Sequence, residues 1–209
     1  MKKILDKLKD KIKLNKRMVI FLLGLMIIAI ITGAVFATTL NKTDQALIKD
    51  YLAKFIQNIE TNKLDYFEAF KSSFVSNTIF VLGIWLLGIS VIGIPIMLFM
   101  YFSKAFILGF SVSNIIINYK LKGCLLSFLY IFPHHIINLF IFIFLVVYAF
   151  AFSAKIINAI FKRKSIDFKL IINKYLLVLL ICFIGITITS LLEVFLTPNL
   201  IKLVLPFIK

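Results

Sequence analysis

Long apolar stretches separated by short charged links divide this chain. The first, Met18–Ala37, carries no charged residue and has the length of about 20 residues that a helix needs to cross a hydrocarbon core. The second, Phe74–Asn118, is interrupted by a single charge, Lys104. It is too long for one crossing and suits two, so a turn is expected within residues 93–104, where Gly93, Pro95 and Lys104 punctuate it. A link containing Lys120 and Lys122 leads to the third, Gly123–Ser153, and the last is Leu170–Leu196 with Glu193 near its end. The pattern predicts an all-α polytopic membrane protein with five transmembrane helices.

Charge orients those helices. Residues 1–17 form a basic amphipathic leader, with Ile4, Leu5, Leu8 and Ile12 on one face and lysines elsewhere. Its position before an uncharged run longer than a secretory core favours a signal anchor over a cleaved signal. The link at 155–169 is also basic, whereas residues 40–73 are balanced. The positive-inside bias then puts the N-terminus and the 155–169 loop in the cytoplasm. The segment 40–73 and a short tail at 197–209 lie outside. The order is a first transmembrane helix at 18–39, an extracytoplasmic segment, and a four-helix membrane bundle at 74–196, all in the cell membrane.

The outer segment is patterned. Leu47, Ile48, Tyr51, Leu52, Phe55, Ile56 and Ile59 recur at helical spacing, with Thr43 placed to cap the helix and Asp44 in its first turn. Such a helix rests on the lipid surface or docks a partner. Tyr51, Leu52, Phe55, Ile56 and Ile59 are the candidate partner-binding residues.

Composition narrows the function. The net charge of +15 would suit nucleic acid, but the basic residues sit between apolar runs and nearly all are Lys, so no nucleic-acid partner is expected. Membrane lipid is. Cys124 and Cys182 lie singly in apolar segments and read as small buried hydrophobes. Ionisable groups inside a bilayer are costly and mark functional positions by default; here they are Lys104, His134, His135 and Glu193. Lys104 is expected to snorkel from a helix end or turn. Adjacent His134 and His135 suit chelation poorly, so neither a metal site nor a proton relay leads. The Pro133 kink instead frees backbone groups for the imidazoles or Asn138 to satisfy. Ser111, Asn114 and Asn118 give one helix a polar edge suited to packing or to a permeation path. Ala29, Gly33 and Ala37, and again Gly185 and Thr189, have the spacing of close helix contacts. The sequence carries no catalytic motif, so neither enzyme activity nor a cofactor is expected.

One stretch is more specific. It reads L-G-I-S-V-I-G-I-P at Leu87–Pro95, then Lys104, then G-F-S-V-S at Gly109–Ser113. K-G-C-L-L-S-F follows at Lys122–Phe128, then Phe132-Pro133 and A-F-S at Ala151–Ser153. This resembles the stage II sporulation protein M family, with Gly88, Gly93, Pro95, Lys104, Gly109, Phe110, Gly123 and Pro133 as its structural motif residues. The chain departs from the family's habit in having Ala105 after Lys104, and His134-His135 after Pro133. The resemblance implies five spans and a non-enzymatic scaffold at the sporulation septum. That scaffold would bring peptidoglycan-degrading partners, stage II sporulation proteins D and P, to the wall during engulfment. A small membrane transporter or channel stands as the alternative function, and self-association is compatible with the scaffold.

Overall fold

The computed structural model describes residues 15–90, 92–131, 134–162 and 167–208. The leader face at Ile4–Ile12, Pro133 and part of the basic loop lie outside them. Every element among the described residues is helical: α1 (Lys16–Thr38), α2 (Lys42–Glu60), α3 (Tyr66–Ile89), α4 (Gly93–Ile131), α5 (His135–Lys162) and α6 (Phe168–Leu191). A π turn at Leu192–Leu196 then leads into α7 (Thr197–Ile208). Five helices are long and apolar enough to cross a membrane.

Short polar side chains start these helices. Asn15 accepts from the Arg17 N–H, and Asp65 from those of Phe67 and Glu68. Asp167 accepts from the Leu170 N–H. Each satisfies donors that a first turn leaves unpaired, and the two carboxylates also face the positive end of the helix dipole. The cap of α2 is Asn41, whose Oδ1 lies 2.8 Å from the Asp44 N, not Thr43, because the helix begins at Lys42 and takes Thr43 into its first turn.

Three boundaries differ from the hydrophobic pattern. The turn expected within 93–104 lies just before it: α3 ends at Ile89 and α4 begins at Gly93. Gly93 is needed there because a Cβ would sit 2.0 Å from the Leu87 carbonyl oxygen. Pro95 falls in the first turn of α4, where an absent N–H costs nothing. The third apolar run, Gly123–Ser153, is not one crossing. At Lys120 the backbone leaves helical geometry (φ 53°, ψ −133°), and residues 121–131 double back on α4. A Cβ on Gly123 would stand 2.5 Å from the Ile115 carbonyl oxygen. The crossing is α5 itself. The tail is helical too, since α6 passes through the π turn into α7.

Pairwise contacts give each helix its direction. The Tyr101 hydroxyl donates to the Leu22 carbonyl (3.2 Å) and Ser113 Oγ to the Ala34 carbonyl (3.1 Å), both pairs 79 residues apart. A constant offset means that α1 and α4 run parallel. Tyr175 OH donates to the Trp85 carbonyl, and the Ser73 and Ser190 hydroxyls are 3.1 Å apart, so α3 and α6 are antiparallel. Ser153 Oγ donates to the Gly88 carbonyl, and Phe142 meets Phe80 edge-on, so α3 and α5 are parallel. Helices α1, α4 and α6 therefore cross one way, α3 and α5 the other. The ends of α1 and α4's first limb share a face with α2; the α3–α4 turn lies at the opposite face.

The α1–α4 seam uses the small-residue spacing seen in the sequence. Ala29, Gly33 and Ala37 are buried, as are Ala105 and Gly109 across from them. A Cβ on Gly109 would be 2.0 Å from the Ile30 carbonyl oxygen, and one on Gly33 2.1 Å from that of Phe106. Both obstacles are backbone, which cannot rotate away. Gly109→Ala and Gly33→Ala should each destabilise the protein by about 1–3 kcal/mol, read as a lowered melting temperature in detergent micelles. Gly24→Ala, whose Cβ would meet nothing within 4 Å, is the matched control and should melt like the native chain; equal melting of all three variants would contradict this packing.

Candidate functional site

Two features stand out from the packed bundle. The first is α2. Its stripe is divided: Ile59 is fully buried with Ile115, Leu126 and Ile201, while Leu52, Phe55 and Ile56 pack against that cluster half-buried. Leu47 and Tyr51 are 65% and 72% exposed. Of the five residues singled out for partner binding, then, Ile59 serves the fold, three line the junction, and only Tyr51 is open. Leu47 joins it on the outer edge. Between α2 and the bundle lies a cavity of about 220 Å³, with Tyr51 and Leu52 on one wall and Ser111 and Asn114 on the other. Half-buried Lys202 of α7 donates to Asn62 Oδ1, tying the α2–α3 turn to the tail; Asn62 itself holds a left-handed φ of 55°, which its short polar side chain tolerates.

The second feature is a set of polar side chains inside the bundle. Lys104 is not at a helix end. It lies about 16 Å along α4 from Gly93 at 1.5 Å per residue, roughly half of a hydrocarbon core. Its ammonium donates to Asn77 Oδ1 (3.1 Å) and stands 4.2 Å from the centre of the Phe80 ring, a cation–π contact that offsets lost hydration. Asn77 Nδ2 is 3.5 Å from Ser73 Oγ, and Ser73 Oγ is 2.5 Å from Glu193 Oε2. The same carboxylate oxygen is 3.8 Å from His134 Nε2, and His134 Nδ1 is 3.2 Å from Thr197 Oγ1. Thr189 Oγ1 donates to Asn138 Oδ1 (2.6 Å).

Asn138 thus accepts from Thr189 of α6, and the His134 imidazole meets Thr197 of α7 at its Nδ1 and stands near Glu193 of the π turn at its Nε2; Pro133, whose kink these groups were expected to serve, lies outside the described residues. Glu193 lies just past the end of α6, on the π turn, with its carboxylate beside Ser73 and His134. Sequence spacing could not foretell this meeting, because its members come from four separate stretches. Among the described residues no three His, Cys, Asp or Glu side chains group to hold a metal ion.

The remaining expectations divide. Asn114 and Asn118 donate to carbonyls of their own helix; Ser111 and Asn114 line the cavity beneath α2, and Ser111 also lines a second, smaller one. Cys182 is buried, but Cys124 is exposed, because the doubled-back limb presents it outward. Gly88 admits Tyr175 and Ala149, Gly185 admits Ile141, and Phe110 sits beside Phe36.

The Thr189–Asn138 bond is fully buried, so Thr189→Val leaves a stranded amide and should cost about 1–3 kcal/mol. Adding Asn138→Leu should recover much of that loss, because no polar group then lacks a partner. A double variant as unstable as the sum of the singles, by unfolding in micelles, would contradict the pairing.

The chain matches the family model described as Stage II sporulation protein M over residues 20–198. No curated protein and no solved structure matches it. The matched span takes in all five crossings, the polar cluster and every described motif residue. The chain belongs to the stage II sporulation protein M family, and it is a multi-pass, sporulation-related membrane protein.

Proposed function

We propose that this protein is a non-enzymatic scaffold of the cell membrane that anchors peptidoglycan-degrading proteins, of the stage II sporulation protein D and P kinds, at the septum during engulfment. Family membership supports the process. The observation that carries the scaffold role is α2: a helix outside the membrane-crossing bundle, pinned from beneath by Ile59, with Leu47 and Tyr51 exposed on its outer edge. A rigidly backed helix loses little freedom when a partner binds, which favours affinity. Aromatic side chains such as Tyr51 are frequent anchors of interfaces. The balance of charge supports placing α2 outside the cell, since the basic leader and the basic 155–169 link belong at the opposite face.

Replacing Leu47 and Tyr51 together by Lys removes both anchors without touching the buried cluster. Co-purification of the wall hydrolases from membranes of sporulating cells should fall about tenfold, the equivalent of about 1.4 kcal/mol, while insertion and melting stay unchanged. Undiminished recovery would place the docking surface elsewhere. A transporter or channel is the second reading, favoured by the polar groups within the bundle. A substrate-dependent flux through reconstituted protein would establish it.

A further inference from the structure

The polar cluster is assembled around one carboxylate. We propose that Glu193 is a proton-binding site within the membrane, reached by water from the α2 face and closed from the opposite face.

Three independent observations lead there. The first is how Glu193 is presented. A five-residue π turn, Leu192–Leu196, interrupts an otherwise regular helix at this position; such turns sacrifice regular hydrogen bonding and occur frequently at functional sites. Here the turn brings the carboxylate to Ser73 Oγ (2.5 Å) and His134 Nε2 (3.8 Å). The second is the company it keeps. Lys104 of α4 and His134 and His135 at the start of α5 are the titratable groups of the cluster, while α3 contributes Ser73 and Asn77 and α6 contributes Ser190. With Glu193 ionised its charge offsets that of Lys104; with Glu193 protonated the cluster carries an uncompensated positive charge. Protonation therefore changes the field on every member.

The third is access. A cavity of about 60 Å³ touches Lys104, Asn77, Ser111, His135 and Asn138, polar enough and large enough for water. Ser111 is also in the wall of the cavity beneath α2, so one small side chain adjoins both. On the other side lie Val81, Ile84, Met97, Leu145, Val146 and Phe152, all buried and apolar. A proton delivered by a hydronium ion in the outer cavity would leave a water molecule behind. Asn77 and His135 in the wall of the inner cavity adjoin Ser73 and His134, each of which can accept one proton and pass another to Glu193.

Infrared difference spectroscopy of the full chain in lipid nanodiscs tests the site. Between about pH 9 and pH 5, above the range where exposed carboxylates of pKa about 4 protonate, one carbonyl-stretch band of a protonated carboxyl should appear. Glu193→Gln should abolish it, and Glu193→Asp should restore it at a shifted frequency. No band in the native protein, or the same band in Glu193→Gln, overturns the proposal. Should Glu193→Gln fail to fold, Ser73→Ala removes only one hydrogen bond to the carboxylate and must move the band; an unmoved band overturns the proposal equally. For sidedness, Ser111→Cys is made with Cys124→Ser and Cys182→Ser and reconstituted in sealed vesicles. A small charged thiol reagent should label it from the α2 face alone. Labelling from the other face, or from neither, contradicts the route.

Discussion

Backbone-to-backbone contact between α1 and α4 is the constraint on which the rest of this structure depends. Lipid tails are as apolar as leucine, so helices in a bilayer gain little by hiding apolar side chains from it and must associate through fit. Here the fit is made by omission: Gly33 and Gly109 leave no room for a Cβ, and Ala29, Ala37 and Ala105 keep the approach close along the same edge. Ser113 and Tyr101 close the ends of the seam with hydrogen bonds to α1 carbonyls. Once α4 is held in this register, Lys104 faces α3 and Ser111 faces the interior. Ala105 is small enough to keep the seam intact.

The parallel direction of this pair also decides what lies at each face. Parallel neighbours far apart in sequence need an intervening crossing, which α3 supplies, and α2 connects α1 to α3 across the face where both have their ends. The apolar stripe of α2 then covers the open end of the bundle, against Ile115 on α4, Leu126 on the doubled-back limb and Ile201 on α7. One helix thus has an inner face that closes a cavity and an outer edge that offers Leu47 and Tyr51. Docking on the outer edge and hydration of the cavity beneath would both act on α2, so the platform and the intramembrane cluster meet at a single element.

Much of this architecture was legible in the residues, and its limits have physical causes. Five crossings follow from apolar length alone, and the seam from the i, i+4, i+8 spacing of Ala29, Gly33 and Ala37. The helical period of Leu47–Ile59 gave α2, but periodicity reports an apolar face without saying what covers it; Ile59 and Tyr51 share that face, yet the bundle buries Ile59 and leaves Tyr51 largely exposed. The limb at 121–131 was hidden because a helix that folds back on another is as apolar as one that crosses. Lys104 was misplaced for the opposite reason: a single charge in an apolar run reads as an interruption, and only the partners Asn77 and Phe80, from a different helix, explain how it is held inside. The meeting of Glu193 with His134 and Ser73 depends on a π turn that no residue pattern announces.

The parallel, fixed-offset pairing of α1 with α4 is the claim from which the positions of α2 and of the polar cluster follow, and disulfide cross-linking in native membranes tests it most directly. In a chain with Cys124→Ser and Cys182→Ser, two pairs sharing the observed offset are compared: Met26→Cys with Ala105→Cys, and Ala34→Cys with Ser113→Cys. Mild oxidation should link both pairs within one chain, because parallel helices keep the same neighbours at both levels. An antiparallel or separated arrangement can bring at most one pair together, so efficient linkage of only one, or of neither, would contradict the account.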